Sequence, residues 1–167
     1  MYRFNGFTEK ANEALNLAIE AAQELGHTYI GSEHILLGLL REKSRVAAVV
    51  LDKLGVTDEK LDQMIREKIG AGMRTSLTAD DFTPRSKRIL QIAVMEAARM
   101  GHNYVGTEHL LLAVLQEGDS YGVRFLEALG VRAKDIETEI VAALNNGGDS
   151  QEPIPPEETT KEARESL

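Results

Sequence analysis

His27, Glu33 and His34 lie close together in the stretch GHTYIGSEH, and His102, Glu108 and His109 repeat the arrangement in GHNYVGTEH. Imidazoles beside a carboxylate suit two chemistries, metal ligation and acceptance of a cationic group. Metal ligation by a helix calls for ligands one turn apart, as in H-E-x-x-H. Here the order is Glu-His, and no ligand follows one turn later. No metal is therefore expected. His27 and His102 follow a glycine and are placed to hydrogen-bond the last carbonyls of the preceding helix. His34 and His109 are placed to cap or pack in the first turn of the next. Glu33 and Glu108 read as N1 residues behind N-caps Ser32 and Thr107, where the helix dipole favours a carboxylate. N1 side chains project outward, so these carboxylates are expected at the surface. There a planar guanidinium would be their natural partner. Dipole stabilisation and ligand binding are both compatible with this spacing.

The elements that position these residues come from a duplication. An offset of about 75 residues superimposes the two motifs without a gap, and about 20 of roughly 63 aligned positions are identical. Each copy reads as four helices. Thr8 and Thr83 are the N-caps of the first helix, with Pro84 following the second of them at N1. Gly26 and Gly101 suit the left-handed position that ends it. The second helix, ILLGLL or LLLAVL, is apolar nearly all round and belongs at the centre of its unit. The fold class is all-α, a tandem repeat of two four-helix units. Repeat one spans 7–69, a linker 70–81, and repeat two 82–144. Residues 145–167 are polar, acidic and Pro-containing, the composition of a flexible tail.

Composition narrows the function. The 167 residues carry a formal net charge of −8, with no long basic run to neutralise phosphates, which argues against nucleic-acid binding. There is no Cys, no secretory leader pattern, and no apolar run approaching the roughly 18 residues that span a bilayer. A cytoplasmic, membrane-free protein is expected. The pattern G-x-x-x-x-G-K-[ST] is missing, so the chain itself should not bind ATP. No Ser has an acid and His partner at readable spacing. A small metal-dependent hydrolase and a ligand-free helical scaffold are the formal rivals to a binding module.

The paired GHTYIGSEH and GHNYVGTEH, each behind a helix beginning Phe-Thr, closely resemble the double Clp repeat at the N-terminus of Clp-type AAA+ unfoldases. FTPRSKRIL and GHNYVGTEHLLLAVL are most similar to the ClpC branch. The resemblance covers residues 1–144. It implies a noncatalytic domain that receives adaptor proteins and substrates for an ATP-driven ring, which feeds a partner Clp protease. ATP would belong to ATPase domains absent from this chain, and the isolated domain should be monomeric. It further implies binding of phosphorylated arginine by Glu33 and Glu108, with Thr8, Thr83, Lys10 and Arg85 supplying hydroxyls, amides and charge to the phosphoryl oxygens. The alternative is recruitment of adaptors or unfolded segments without phosphoarginine. Phe4, Phe82 and Lys87 align with a surface patch that inhibitors use in relatives. The turns Glu42-Lys43-Ser44-Arg45 and Glu117-Gly118-Asp119-Ser120 depart from the EGEG-like turns usual there.

Overall fold

A computed structural model describes residues 1–146; the expected tail lies outside the described residues from position 147 onward. The first copy contributes α1 (Glu9–Glu24), α2 (Ser32–Glu42), α3 (Val46–Lys53) and α4 (Asp58–Lys68). The second contributes α5 (Pro84–Arg99), α6 (Thr107–Glu117), α7 (Tyr121–Ala128) and α8 (Ala133–Asn145). A 3-10 turn, Ala79–Asp81, ends the connection between them, and no strand occurs among the described residues.

Local chemistry explains where the long helices begin and end. The Thr8 hydroxyl accepts the Ala11 N–H, and Thr83 does the same for Ser86, satisfying amides that lack a helical partner. Gly26 and Gly101 take φ of 76° and 75° just past the C-caps, a left-handed conformation that costs glycine little. Between these ends, Ala11, Ala14, Leu15, Ala18, Ile19 and Ala22 form the buried stripe of α1. α2 is enclosed on nearly every side: Ile35, Leu36, Leu37 and Leu39 are all but inaccessible. Each such side chain contributes about 1.5–3 kcal/mol relative to exposure. α2 presses closely on α1, since Gly38 faces the backbone of Ala14 and Ala18.

The two copies are joined by exchanged contacts that obey a pseudo-twofold relation. Phe7 bridges Val105 and Phe82 bridges Ile30, each as an isolated parallel bridge. The Thr8 amide donates to the Val105 carbonyl at 2.9 Å, and the Thr83 amide to the Ile30 carbonyl at 3.1 Å. A second pair of exchanges caps the third helices. The Ser32 hydroxyl accepts the Gly122 N–H at 2.8 Å, and the Thr107 hydroxyl accepts the Ala47 N–H at 3.3 Å. Each repeat thus satisfies helix-end amides belonging to the other, which couples the two halves through polar groups as well as through the shared core.

This exchange corrects one sequence expectation. Ser32 and Thr107 are not N-caps; Gly31 and Gly106 are, with extended backbones. The side chain that reaches back to the cap is the histidine at N3. His34 Nδ1 accepts the Gly31 N–H at 2.9 Å, and His109 Nδ1 accepts the Gly106 N–H at 2.9 Å. That histidine takes the place Glu or Gln holds in an ordinary capping box. With the local cap handled by imidazole, the hydroxyls at 32 and 107 are released to serve the opposite repeat.

Candidate functional site

Shifting the cap by one residue moves Glu33 and Glu108 from N1 to N2, a rotation of about 100° around the helix. They therefore do not project into solvent as their spacing suggested. Glu33 is 1% exposed and Glu108 0%. The Glu33 carboxylate folds back over Gly31, where any Cβ would stand 2.6 Å from its Oε1. The Tyr29 hydroxyl donates to Glu33 Oε2 at 2.9 Å, and the Tyr104 hydroxyl to Glu108 Oε2 at 3.5 Å. Burial raises the Glu33 carboxyl above its ordinary range, opposed by hydrogen bonds from its own backbone and Tyr29. Burial and the neighbouring carboxylate likewise raise the Tyr29 phenol, which stays protonated. Each site is a carboxylate at a helix start, covered by a tyrosine.

Behind each carboxylate lies a pair of histidines in contact. His27 Nδ1 and His34 Nε2 are 2.7 Å apart; His102 Nδ1 and His109 Nε2 are 2.8 Å apart. The rings at 27 and 102 turn to their partner histidines and away from the last carbonyls of α1 and α5, contrary to the sequence expectation; the backbone amides serve those carbonyls instead. Tyr29 stacks on His27 with centroids 5.6 Å apart, and Tyr104 on His102 at 4.8 Å.

Ligand atoms of His102, Glu108 and His109 come within 4.8 Å of one another, a grouping that resembles a cation site. The tautomer argues against it. His109 Nδ1 accepts an amide proton, so its own proton sits on Nε2, the atom that faces His102. A metal at Nε2 would require Nδ1 to be protonated against the Gly106 N–H, or an imidazolate. The histidine pair is built as a cap and its support.

The same chemistry predicts a pH dependence of folding. Burial and the proximity of His27 push the His34 ring down to about 3 from an ordinary 6.5. Between those values the unfolded chain holds more protons on residue 34, so stability falls as pH falls. That loss reaches about 2 kcal/mol by pH 5. Glu33 acts oppositely. Its raised carboxyl contributes stability at acid pH that disappears as pH rises through the folded value. Urea unfolding of Glu33→Gln isolates the histidine. It should lose about 2 kcal/mol between pH 7.5 and 5, and Glu33→Gln/His34→Asn should lose clearly less. Equal slopes in the two variants would contradict the assignment.

The remaining residues singled out by sequence fall into two groups. The bridges place Thr83 beside Ile30, three residues ahead of Glu33, and Thr8 beside Val105, three ahead of Glu108. Each threonine thus pairs with backbone of the opposite repeat, in the segment that leads into that repeat's glutamate. Both threonine hydroxyls act as caps. Lys10 pairs with Glu13 at 3.8 Å. Arg85 pairs with Glu117 at 3.0 Å and donates to the Asp119 carbonyl. Phe4, Phe82 and Lys87 do come together, in a surface cleft of about 470 Å³ that Arg3 and Asn5 also line. Phe4 meets Phe82 edge-on, centroids 5.8 Å apart.

Tyr29, Tyr104 and Asn5 escaped the sequence reading. The tyrosines had a signal: each stands four residues before its glutamate in both copies. Asn5 had none. It is buried in the cleft wall, and its amide finds no hydrogen-bond partner among the described residues.

Residues 6–129 and 81–162 match the Clp repeat (R) N-terminal domain. The chain belongs to that family. Over 143 residues, 86% of this chain, it is 42% identical to the negative regulator of genetic competence ClpC/MecB of Bacillus subtilis (strain 168). It spans only 18% of that relative's length. Its Clp repeats share the fold of the N-terminal domain of the chaperone ClpD from Arabidopsis thaliana, with a TM-score of 0.71 and 24% identity, covering 84% of this chain and 95% of that one. They also share the fold of the ClpV N-domain solved in complex with a VipB peptide, at a TM-score of 0.57 and 19% identity, covering 77% and 87% of the two chains. None of the described helices of this Clp repeat domain is long and apolar enough to cross a membrane.

Proposed function

We propose that this noncatalytic domain recruits protein substrates and adaptors to a ClpC-type AAA+ unfolding ring, and that Glu33 and Glu108 each receive a phosphorylated arginine. The observation that carries the finer part is the duplicated carboxylate held under a tyrosine hydroxyl. A buried carboxylate with a raised protonation range is short of positive charge. A guanidinium replacing the tyrosine hydroxyl would supply it through two parallel hydrogen bonds. The phosphoryl group would then lie toward the N-termini of α1 and α5, where Thr8, Lys10, Thr83 and Arg85 provide amides and charge. Tyr29 and Tyr104 must swing away for this, so binding is coupled to a side-chain opening.

The domain would use no cofactor of its own. Clp protease would meet it only through the parent ring, in the cytoplasm, with ATP consumed elsewhere in that ring. A second reading, recruitment without phosphoarginine, is favoured by the closure of both carboxylates and by the open aromatic cleft. The peptide seen on the ClpV N-domain is a precedent for recruitment of that kind. Amide NMR separates the two. Titration with free phosphoarginine should shift residues 31–33, 106–108, Thr8 and Thr83. Undisturbed amides at all of them would reject the phosphoarginine reading and leave the cleft around Phe4, Phe82 and Lys87 as the recruiting surface.

A further inference from the structure

The first repeat contains an unbroken, directional hydrogen-bond chain that ends on the inter-repeat connection. The Gly31 N–H donates to His34 Nδ1 at 2.9 Å, which leaves the His34 proton on Nε2. That N–H points at His27 Nδ1, 2.7 Å away. His27 must then carry its own proton on Nε2, which donates to the Gly70 carbonyl at 2.8 Å. With both rings neutral, each tautomer is dictated by the bond before it.

We infer that His34 and His27 form a proton-sensitive latch for the connection between the repeats, closed when both rings are neutral and opened by a single added proton. A proton on His27 Nδ1 would set two N–H groups head-on at 2.7 Å. A proton on His34 Nδ1 would oppose the Gly31 amide instead. Neither position accepts a proton while every bond survives. His27 is 8% exposed and His34 fully enclosed, so His27 is the ring with room to turn out when the pair gains a proton.

Its surroundings permit this. Tyr29 stacks on one face of His27, and His34 approaches from α2. The Glu33 carboxylate, also from α2, lies within electrostatic reach of this ring. α1 offers the Ala22 carbonyl to the His27 amide, and the connection offers the Gly70 carbonyl. Release of Gly70 matters because the strap is pressed closely here. The Gly72 amide donates to the Leu25 carbonyl and the Thr75 amide to the Gln23 carbonyl. The Thr75 hydroxyl donates to the carbonyl of His27 itself. Gly72 and Met73 backbone atoms leave no room for a Cβ on Gly26. The second repeat is a natural control. It has the same histidine pair, but α8 runs on through Asn145, the position that matches Gly70.

Hydrogen exchange of the 167-residue chain tests the latch at pH 7.5 and 5.5, after correction for intrinsic rates. The Gly72 and Thr75 amides should lose protection on acidification, at most tenfold per pH unit for one proton. Central α1 amides, which exchange through global unfolding, should lose less protection than these two. In His27→Ala the two amides should be weakly protected at both pH values, and in His102→Ala they should behave as in the wild type. Equal wild-type protection at both pH values would overturn the latch, as would a pH response at Gly72 and Thr75 in His27→Ala that still exceeds the response of central α1. Imidazole nitrogen NMR of the wild type gives a check that needs no variant. His27 should be protonated on Nε2 and bare on Nδ1 at pH 7.5, and the opposite tautomer would overturn the chain.

Discussion

Gly38→Ala is expected to destabilise the domain by about 2–4 kcal/mol, lowering its melting temperature by roughly 5–15 °C. An alanine Cβ at this position would stand 2.1 Å from the Ala14 carbonyl oxygen and 2.8 Å from the Ala18 amide nitrogen. Both are backbone atoms of α1, so no rotamer relieves the clash, and the two best-buried helices of the first repeat must separate. Overpacking ordinarily costs about 1–3 kcal/mol, and a clash with backbone atoms that cannot turn aside falls at or above the top of that range. The intrinsic preference of a helix for alanine returns about 1 kcal/mol, and the displaced helix carries the Thr8 end of one inter-repeat bridge with it. The matching position in the second repeat is Ala113, already buried against its neighbours. Ala113→Gly should therefore cost only about 1 kcal/mol, through propensity. Thermal and urea unfolding measure both, and an unchanged melting temperature for Gly38→Ala would show that α1 and α2 are not in this close register.

Glu33→Gln/Glu108→Gln should fold with nearly native stability and lose phosphoarginine binding by at least about 30-fold at each site. The amide keeps the size of the carboxylate and still accepts from Tyr29 or Tyr104. Removing charge also removes the desolvation penalty that raises the Glu33 carboxyl. Binding is different, because a guanidinium buried against a neutral amide has lost its counter-charge. Deleting one partner of a buried hydrogen-bonded charge pair costs about 2–5 kcal/mol. The single variants should each retain one site. Phosphoserine, which offers the anion without the guanidinium, should bind neither the wild type nor the variants appreciably. Variants that unfold would show the carboxylates to be structural, and unchanged affinity would place the ligand elsewhere.

The duplication made much of this fold legible before any coordinates. Thr8, Thr83, Pro84, Gly26 and Gly101 are residues whose backbone chemistry is local, and the helix ends follow them. The enclosed position of α2 was equally plain from an apolar circumference. What periodicity cannot reveal is which copy a side chain serves. Ser32 and Thr107 look like caps of their own helices, yet they cap the helices of the other repeat. That exchange depends on His34 and His109 occupying the local caps, a reciprocity between residues three apart that hydroxyl preference at the N-cap obscures. The error propagated to the site. A one-residue shift of the cap turned two glutamates from solvent into the interior, under tyrosines whose role depends on that turn.

The most direct test of recruitment through the paired carboxylates is calorimetric titration of free phosphoarginine into the wild-type chain and into Glu33→Gln/Glu108→Gln. Saturable heat with one ligand for each glutamate, abolished in the double variant, is the predicted result. No saturable heat in the wild type, or the same heat in both proteins, would contradict it.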